Sequence, residues 1–270
     1  MTFHDALKNM WRKNHSLLCV GLDPDLKRIP DHLRQRPRPL FEFCRAVVEA
    51  TADLVCAYKV QAAFFAAFGR EKDLEEVIAY IHGRYPAIPV ILDAKRADIG
   101  STAEFYAQEA FDRYQADAVT VNPYLGGEAL APFLERKDRG VIVLCRTSNP
   151  GAGEFQDLLC DGERLYRIVA RKAAREWNTH GNVLLVVGAT YPKELGEIRS
   201  LVGDMPLLVP GIGAQGGDTR ETVSRGKTAD GTGLIINASR SVLYAATGKG
   251  FAEAARQAAM ALREEINRYR

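Results

Sequence analysis

A chain of 270 residues, 47% of them hydrophobic, can bury one large core, and a single domain over residues 1–270 is the expectation. Lys and Arg number 36 against 34 Asp and Glu, a formal charge of +2. That field is too weak to draw in a polyphosphate backbone, so nucleic acid is not an expected partner and any working cation has to be placed locally. No run of about 18 apolar residues occurs, so no membrane partner is expected; no apolar leader opens the chain, and its five cysteines (Cys19, Cys44, Cys56, Cys145 and Cys160) form no CxxC, which together predict reduced thiols and a cytoplasmic location.

Taken in chain order, the first apolar run, 17–23 (LLCVGLD), ends at Asp23. RPRPLFEF (36–43), with two prolines, leads into a helix rather than linking domains. The second run, 54–60 (LVCAYKV), carries Lys59 near its end, and the third, 89–95 (PVILDAK), ends in Asp93 and Lys95. An amphipathic stretch at 101–114 precedes the fourth run, 118–124. The fifth, 140–146, and the sixth, 183–189, flank a second amphipathic stretch at 163–177. Runs at 206–212 and 233–239 complete eight. Short buried strands separated by helices of 3.6-residue period are the pattern of βαβ units and a parallel sheet. An open doubly wound sheet alternates in the same way. Polar and glycine-rich residues cluster just after the strand runs, where the βα-loops of a closed barrel form its active site, and this favours an α/β fold of the (β/α)8 TIM barrel type.

The segment VILDAKRADIGST (90–102) is a buried-strand pattern that ends in charge. Asp93 and Lys95 are two apart, so an extended strand points both to one face, the interior mouth of a barrel. Asp98 follows in the loop, and Lys59 reaches the same mouth from the neighbouring strand. Charges there are costly unless they pair, and a lone Asp-x-Lys reads first as a structural ion pair plugging the barrel end; four alternating charges on adjacent strands shift the reading towards a working array. After the seventh run, VPGIGAQGGD (209–218) supplies backbone N–H groups and Gln215. After the eighth, NASRS (237–241) supplies Arg240, whose planar fork suits phosphate oxygens. Glycine-rich loops also serve plain turns, and the neighbouring Arg240 is what turns this one towards phosphate.

At these residues the sequence resembles the orotidine monophosphate decarboxylase family: Asp93, Lys95, Asp98, Ile99, Gly100 and Thr102 stand in D-A-K-R-A-D-I-G-S-T, and matches span most of the chain. Asp23 in GLDPD, Lys59 in YKV, Ser148 in RTSNPGAG, Pro210 and Gln215 in PGIGAQGGD, and Arg240 in ASR stand where the family has ligand-contacting residues. The resemblance implies a cofactor-free, metal-free decarboxylation of orotidine monophosphate to uridine monophosphate. Lys59, Asp93, Lys95 and Asp98 would form the catalytic array, Lys95 giving its proton to C6 and Asp93 standing beside the leaving carboxylate. Asp23 and Lys59 would bind ribose hydroxyls, Ser148 the pyrimidine amide, and Gln215 and Arg240 the 5′-phosphate. Asp98 and Thr102 would reach into the partner's site of a homodimer, and Gly151 and Gly153 would let the Ser148 loop close as a lid.

Three features depart from the family pattern and suggest a divergent branch. Ser239 precedes Arg240 where many members have glycine, QAAFFAAFG follows Lys59 in place of a glycine-containing turn, and there is extra length around RKDRGVIV and TSNPGAGEFQDL. A sugar-phosphate barrel with the same Asp-x-Lys strand and a nucleotide-sensing barrel without chemistry are the alternatives. Asp98-Ile99, Thr102 and Ser148 speak against the first, and an intact set of four charges against the second. His4, His15, His32, His82 and His180 show no metal-ligand spacing, Trp11 and Trp177 fall at core spacing, and LREEINRYR reads as a solvated helix face.

Overall fold

The structure, a computed structural model, describes residues 1–212 and 217–270. Its strands are β1 (Leu18–Leu22), β2 (Ala57–Gln61), β3 (Val90–Arg96), β4 (Ala118–Val121), β5 (Gly140–Arg146), β6 (Leu159–Cys160), β7 (Glu163–Arg164), β8 (Val183–Val187), β9 (Leu207–Pro210) and β10 (Leu234–Ala238). Eight of them close a barrel in the order β1-β10-β9-β8-β5-β4-β3-β2, and neighbours run parallel throughout, as in β1 with β10 and β2 with β3. The eight apolar runs are thus the eight barrel strands of a TIM barrel. β6 and β7 form a small antiparallel hairpin outside it.

Both faces of each barrel strand are covered, which is why the runs read as continuous β-branched and leucine residues rather than as alternating ones. All five residues of β1, β8 and β10 are buried. Each fully buried Leu, Ile or Val contributes about 1.5–3 kcal/mol relative to exposure. The helix Phe3–Lys13 closes the N-terminal end: Phe3, Leu7, Met10 and Trp11 are buried, and the Trp11 indole donates to the carbonyl of Leu234 at 3.0 Å. Gly140, at the start of β5, permits this closure, since a Cβ there would lie 2.5 Å from Phe3 Cδ1 and 2.8 Å from the Ala118 Cβ.

Element ends depart from the sequence pattern in understandable places. RPRPLFEF does lead into a helix, Pro39–Thr51, with proline at its first turn. The fourth run stops at Val121 because Asn122 turns the chain and its side chain accepts from the Tyr124 N–H. The stretch 101–114 is the helix Gly100–Gln108 followed by a π-helical turn, Glu109–Arg113, and 163–177 opens in β7 before the helix Leu165–Lys172 and a second π-turn, Ala173–Trp177. Cys19 and Cys145 are buried, as their apolar neighbours imply. Among the described residues no helix is long and apolar enough to cross a membrane.

Candidate active site

The C-terminal ends of the strands open into a cavity of about 540 Å³. Asp23 follows β1, Lys59 lies in β2, and Asp93 and Lys95 lie in β3; all four line the cavity. They form an alternating chain of charge, with Asp23 Oδ1 3.5 Å from Lys59 Nζ, Lys59 Nζ 2.9 Å from Asp93 Oδ2, and Asp93 Oδ1 2.6 Å from Lys95 Nζ. Lys59 and Asp93 are 4% and 6% exposed, a depth at which an unpaired charge is not tolerated. Burial pushes the Asp93 carboxyl up, but the Lys59 and Lys95 ammoniums outweigh it and hold the group well below the usual carboxylate range. Burial likewise pulls the Lys59 ammonium down, and the attraction of Asp23 and Asp93 more than reverses this, raising it above an ordinary lysine.

The convergence of Asp93 and Lys95 has a different origin from the one strand alternation suggests. Lys95 adopts φ +50°, left-handed backbone that costs a non-glycine residue about 1 kcal/mol or more. Against β4 the register jumps, Leu92 pairing with Val119 but Arg96 with Val121. β3 therefore bulges at Ala94 and Lys95, and the lysine side chain folds back to Asp93. Sequence reasoning missed the residue that holds this bulge. Thr120 in β4, 1% exposed, accepts from the Ala94 and Lys95 N–H groups at 3.0 and 2.9 Å and donates to Asp93 Oδ1 at 2.8 Å. Gln61 was also missed; its Nε2 donates to Asp93 Oδ2 at 3.1 Å. It ends β2, and the helix Ala62–Ala66 replaces the glycine-containing turn.

Ser148, Pro210 and Arg240 line the same cavity. The Ser148 segment is not an open glycine loop: it forms the helical turns Pro150–Ala152 and Gly153–Gln156, and neither Gly151 nor Gly153 has positive φ. Arg146, 2% exposed, anchors it, with Nη2 3.0 Å from Asp157 Oδ2 and its guanidinium 3.7 Å above the Tyr191 ring. Gln156 Oε1 accepts from the Thr147 N–H at 2.9 Å. Gly188 lets the segment approach β8, because a Cβ there would fall 2.7 Å from Ser148 Cα. Gln215 lies outside the described residues.

Ser239, which precedes Arg240, lies opposite a glycine of the facing strand. β1 and β10 pair Cys19 with Asn237 and Val20 with Ala238, so Gly21 faces Ser239, and a Cβ on Gly21 would stand 2.0 Å from Ser239 Oγ. The serine is accommodated because Gly21 has no side chain.

Asp98 and Thr102 do not join the four cavity charges within this chain. Asp98 Oδ1 accepts the Ile99 N–H at 2.8 Å, just before the helix Gly100–Gln108. Thr102 lies on the outer surface of that helix beside Phe105, which is 68% exposed, and Ile99 is 59% exposed. Among the histidines, His82 Nε2 lies 2.8 Å from Asp117 Oδ2, away from the cavity. Among the described residues, no three or more His, Cys, Asp or Glu side chains stand together as metal ligands would.

Residues 16–256 match a family model described as Orotidine 5′-phosphate decarboxylase / HUMPS family. Over 270 residues, all of both chains, this chain is 60% identical to a protein named orotidine 5′-phosphate decarboxylase from Dechloromonas aromatica and 58% identical to one from Ralstonia pickettii. Among solved structures, Leishmania donovani OMP decarboxylase superposes with a TM-score of 0.87 at 41% identity, covering 100% of this chain and 98% of that one.

Proposed function

We infer how the residues divide the work from one premise: the chain belongs to the orotidine 5′-phosphate decarboxylase / HUMPS family and acts as a carboxy-lyase, converting orotidine 5′-monophosphate to uridine 5′-monophosphate and CO2 in pyrimidine synthesis. The observation that carries the reading is the Asp23–Lys59–Asp93–Lys95 chain at the barrel mouth. Loss of CO2 leaves an electron pair on C6, where no adjacent carbonyl delocalises it, so the anion has to be stabilised by fixed charge. Lys95 supplies that charge and then the proton; its side chain is 47% exposed towards the cavity and tethered at its Nζ to Asp93. The anionic Asp93 stands next to the departing carboxylate, and Asp23 and Lys59 take the ribose hydroxyls. Ser148 faces the pyrimidine, Pro210 contacts the ligand, and Gln215 and Arg240 hold the 5′-phosphate. Binding energy from that remote group then serves to order the reacting end.

The roles need neither metal nor cofactor, since protein charges do the stabilising. Purified protein extensively treated with EDTA is expected to bleach the ultraviolet band of orotidine monophosphate at an undiminished rate; abolition by EDTA with restoration by a divalent cation would overturn the metal-free assignment. The sugar-phosphate alternative finds less support, because the full-length relatives at 58–60% identity are named for the orotidine reaction. A cytoplasmic setting fits the five free cysteines.

A homodimer with shared sites accounts for the position of Asp98 and Thr102 outside the cavity, and the exposed Ile99 and Phe105 beside them give a partner an apolar surface to cover. Mixing inactive Lys95→Ala and inactive Asp98→Ala proteins under conditions that exchange subunits is expected to restore about a quarter of wild-type activity at statistical reassortment, since one site of each hybrid is intact. Self-contained sites would restore none.

A further inference from the structure

Thr120 lies in β4, on the strand next to the two reacting residues, and no role for it follows from the sequence. Its hydroxyl has one proton and two lone pairs. The Ala94 and Lys95 N–H groups occupy the acceptor side at 3.0 and 2.9 Å, which commits the proton to Asp93 Oδ1 at 2.8 Å. One buried oxygen therefore ties together the left-handed backbone of Lys95 and the carboxylate of Asp93. The other contacts of that carboxylate are Lys95 on the same oxygen and Lys59 and Gln61 on the other. Its orientation is fixed from both sides before any substrate arrives.

We propose that Thr120 is a positioning residue for the decarboxylation: its hydroxyl holds the β3 bulge and the Asp93 carboxylate in the one arrangement that aims the Lys95 ammonium at the reacting carbon. This rests on the reading of Asp93 and Lys95 given above. Thr120 acts through them. A valine has the same shape and β-propensity but cannot bond to any of the three partners, so the bulge relaxes towards regular strand and the ammonium drifts. A misplacement of about 1 Å in a reacting group is enough to cost on the order of 10²-fold in rate.

The test is steady-state kinetics of Thr120→Val and Thr120→Ser beside wild type, with the affinity for the product UMP measured by calorimetry. The expected result is a kcat about 10²-fold down in the valine variant, with KM and UMP affinity close to wild type, and a kcat returned most of the way in the serine variant. A valine variant that keeps wild-type kcat overturns the proposal. So does a loss of UMP affinity in step with kcat, or a serine variant as impaired as valine, because each describes a residue that serves the fold rather than the aim of Lys95. Where the valine variant does not fold, Thr120→Ala is read by the same criteria, and failure of both to fold counts against the proposal. Wild type that does not decarboxylate orotidine monophosphate in this assay would instead sink the parent reading.

Discussion

Lys95→Ala is expected to lose roughly four powers of ten in kcat or more, about 5 kcal/mol of barrier, because one substitution removes two functions. In the proposed mechanism the ammonium stabilises the C6 anion electrostatically and is also the acid that quenches it; effects of these kinds are each worth about 10²–10⁴-fold. The stability loss is expected to be smaller than for a change at Asp93, since the Lys95 side chain is 47% exposed and the buried carboxylate keeps Lys59, Gln61 and Thr120 as donors. Lys95→Arg keeps the positive charge but is not expected to rescue the rate, because a guanidinium does not release its proton near neutrality. Single-turnover decay of the orotate absorbance, with UMP affinity as the control for an intact cavity, measures this. Near wild-type turnover in the alanine variant would remove Lys95 from the mechanism.

Asp93→Asn is expected to damage both catalysis and the fold. Four donors converge on this carboxylate: Lys59 and Gln61 on one oxygen, Lys95 and Thr120 on the other. An amide can accept on only one side, so either pair of donors meets an N–H2. Lys59, 4% exposed, would be left with Asp23 at 3.5 Å. Leaving a buried charge without its partner costs about 3–5 kcal/mol, and urea unfolding of the asparagine variant should register a loss of that order.

The same pair gives the loss a pH signature. The folded Asp93 carboxyl is held below its unfolded value, so its stabilisation is complete above the unfolded pKa of about 3.9 and fades as pH falls below it. The stability gap between wild type and Asp93→Asn is therefore expected to be flat from pH 6 to 8 and to narrow only under acid conditions, below about pH 4. Lys59 works in the opposite sense: its folded value is raised, so its contribution is present up to about pH 10.4 and disappears at still higher pH. A gap that widens on acidification would contradict the ion-pair account of Asp93.

The barrel was legible in the sequence because buried parallel strands leave an unmistakable trace. Runs such as VILDAK and GVIVLCR are apolar on both faces and turn polar only where they reach the mouth. Lys59, Asp93 and Lys95 could be picked out because several alternating charges end adjacent runs, where a lone Asp-x-Lys would read as a structural ion pair, and because they stand in a family pattern. What could not be read depends on geometry between strands. The left-handed conformation of Lys95 leaves no mark in the letters, and period-two reasoning put its side chain beside Asp93 by an argument the β3 bulge does not obey. Thr120 looks like any β-branched residue in a strand until β3 is laid against it. Gln61 sits one residue beyond the predicted end of its run. The 159–164 hairpin and the π-turns at Glu109–Arg113 and Ala173–Trp177 escaped because stretches of two to five residues carry too little periodicity to separate from loop or α-helix. Asp98 and Thr102, prominent in the sequence, are silent in the cavity of a lone chain.

The space above Gly21 sets where the Ser239 hydroxyl can point. A Cβ at position 21 would stand 2.0 Å from Ser239 Oγ, 2.9 Å from Asn237 Oδ1 and 3.1 Å from Ser239 Cβ, so an alanine there would turn the serine hydroxyl to another rotamer and press on the Asn237 amide. With that turn would go the 3.3 Å hydrogen bond from Asn237 Nδ2 to Ser239 Oγ, so the bare backbone of Gly21 is what keeps this polar pair in place at the seam of β1 and β10.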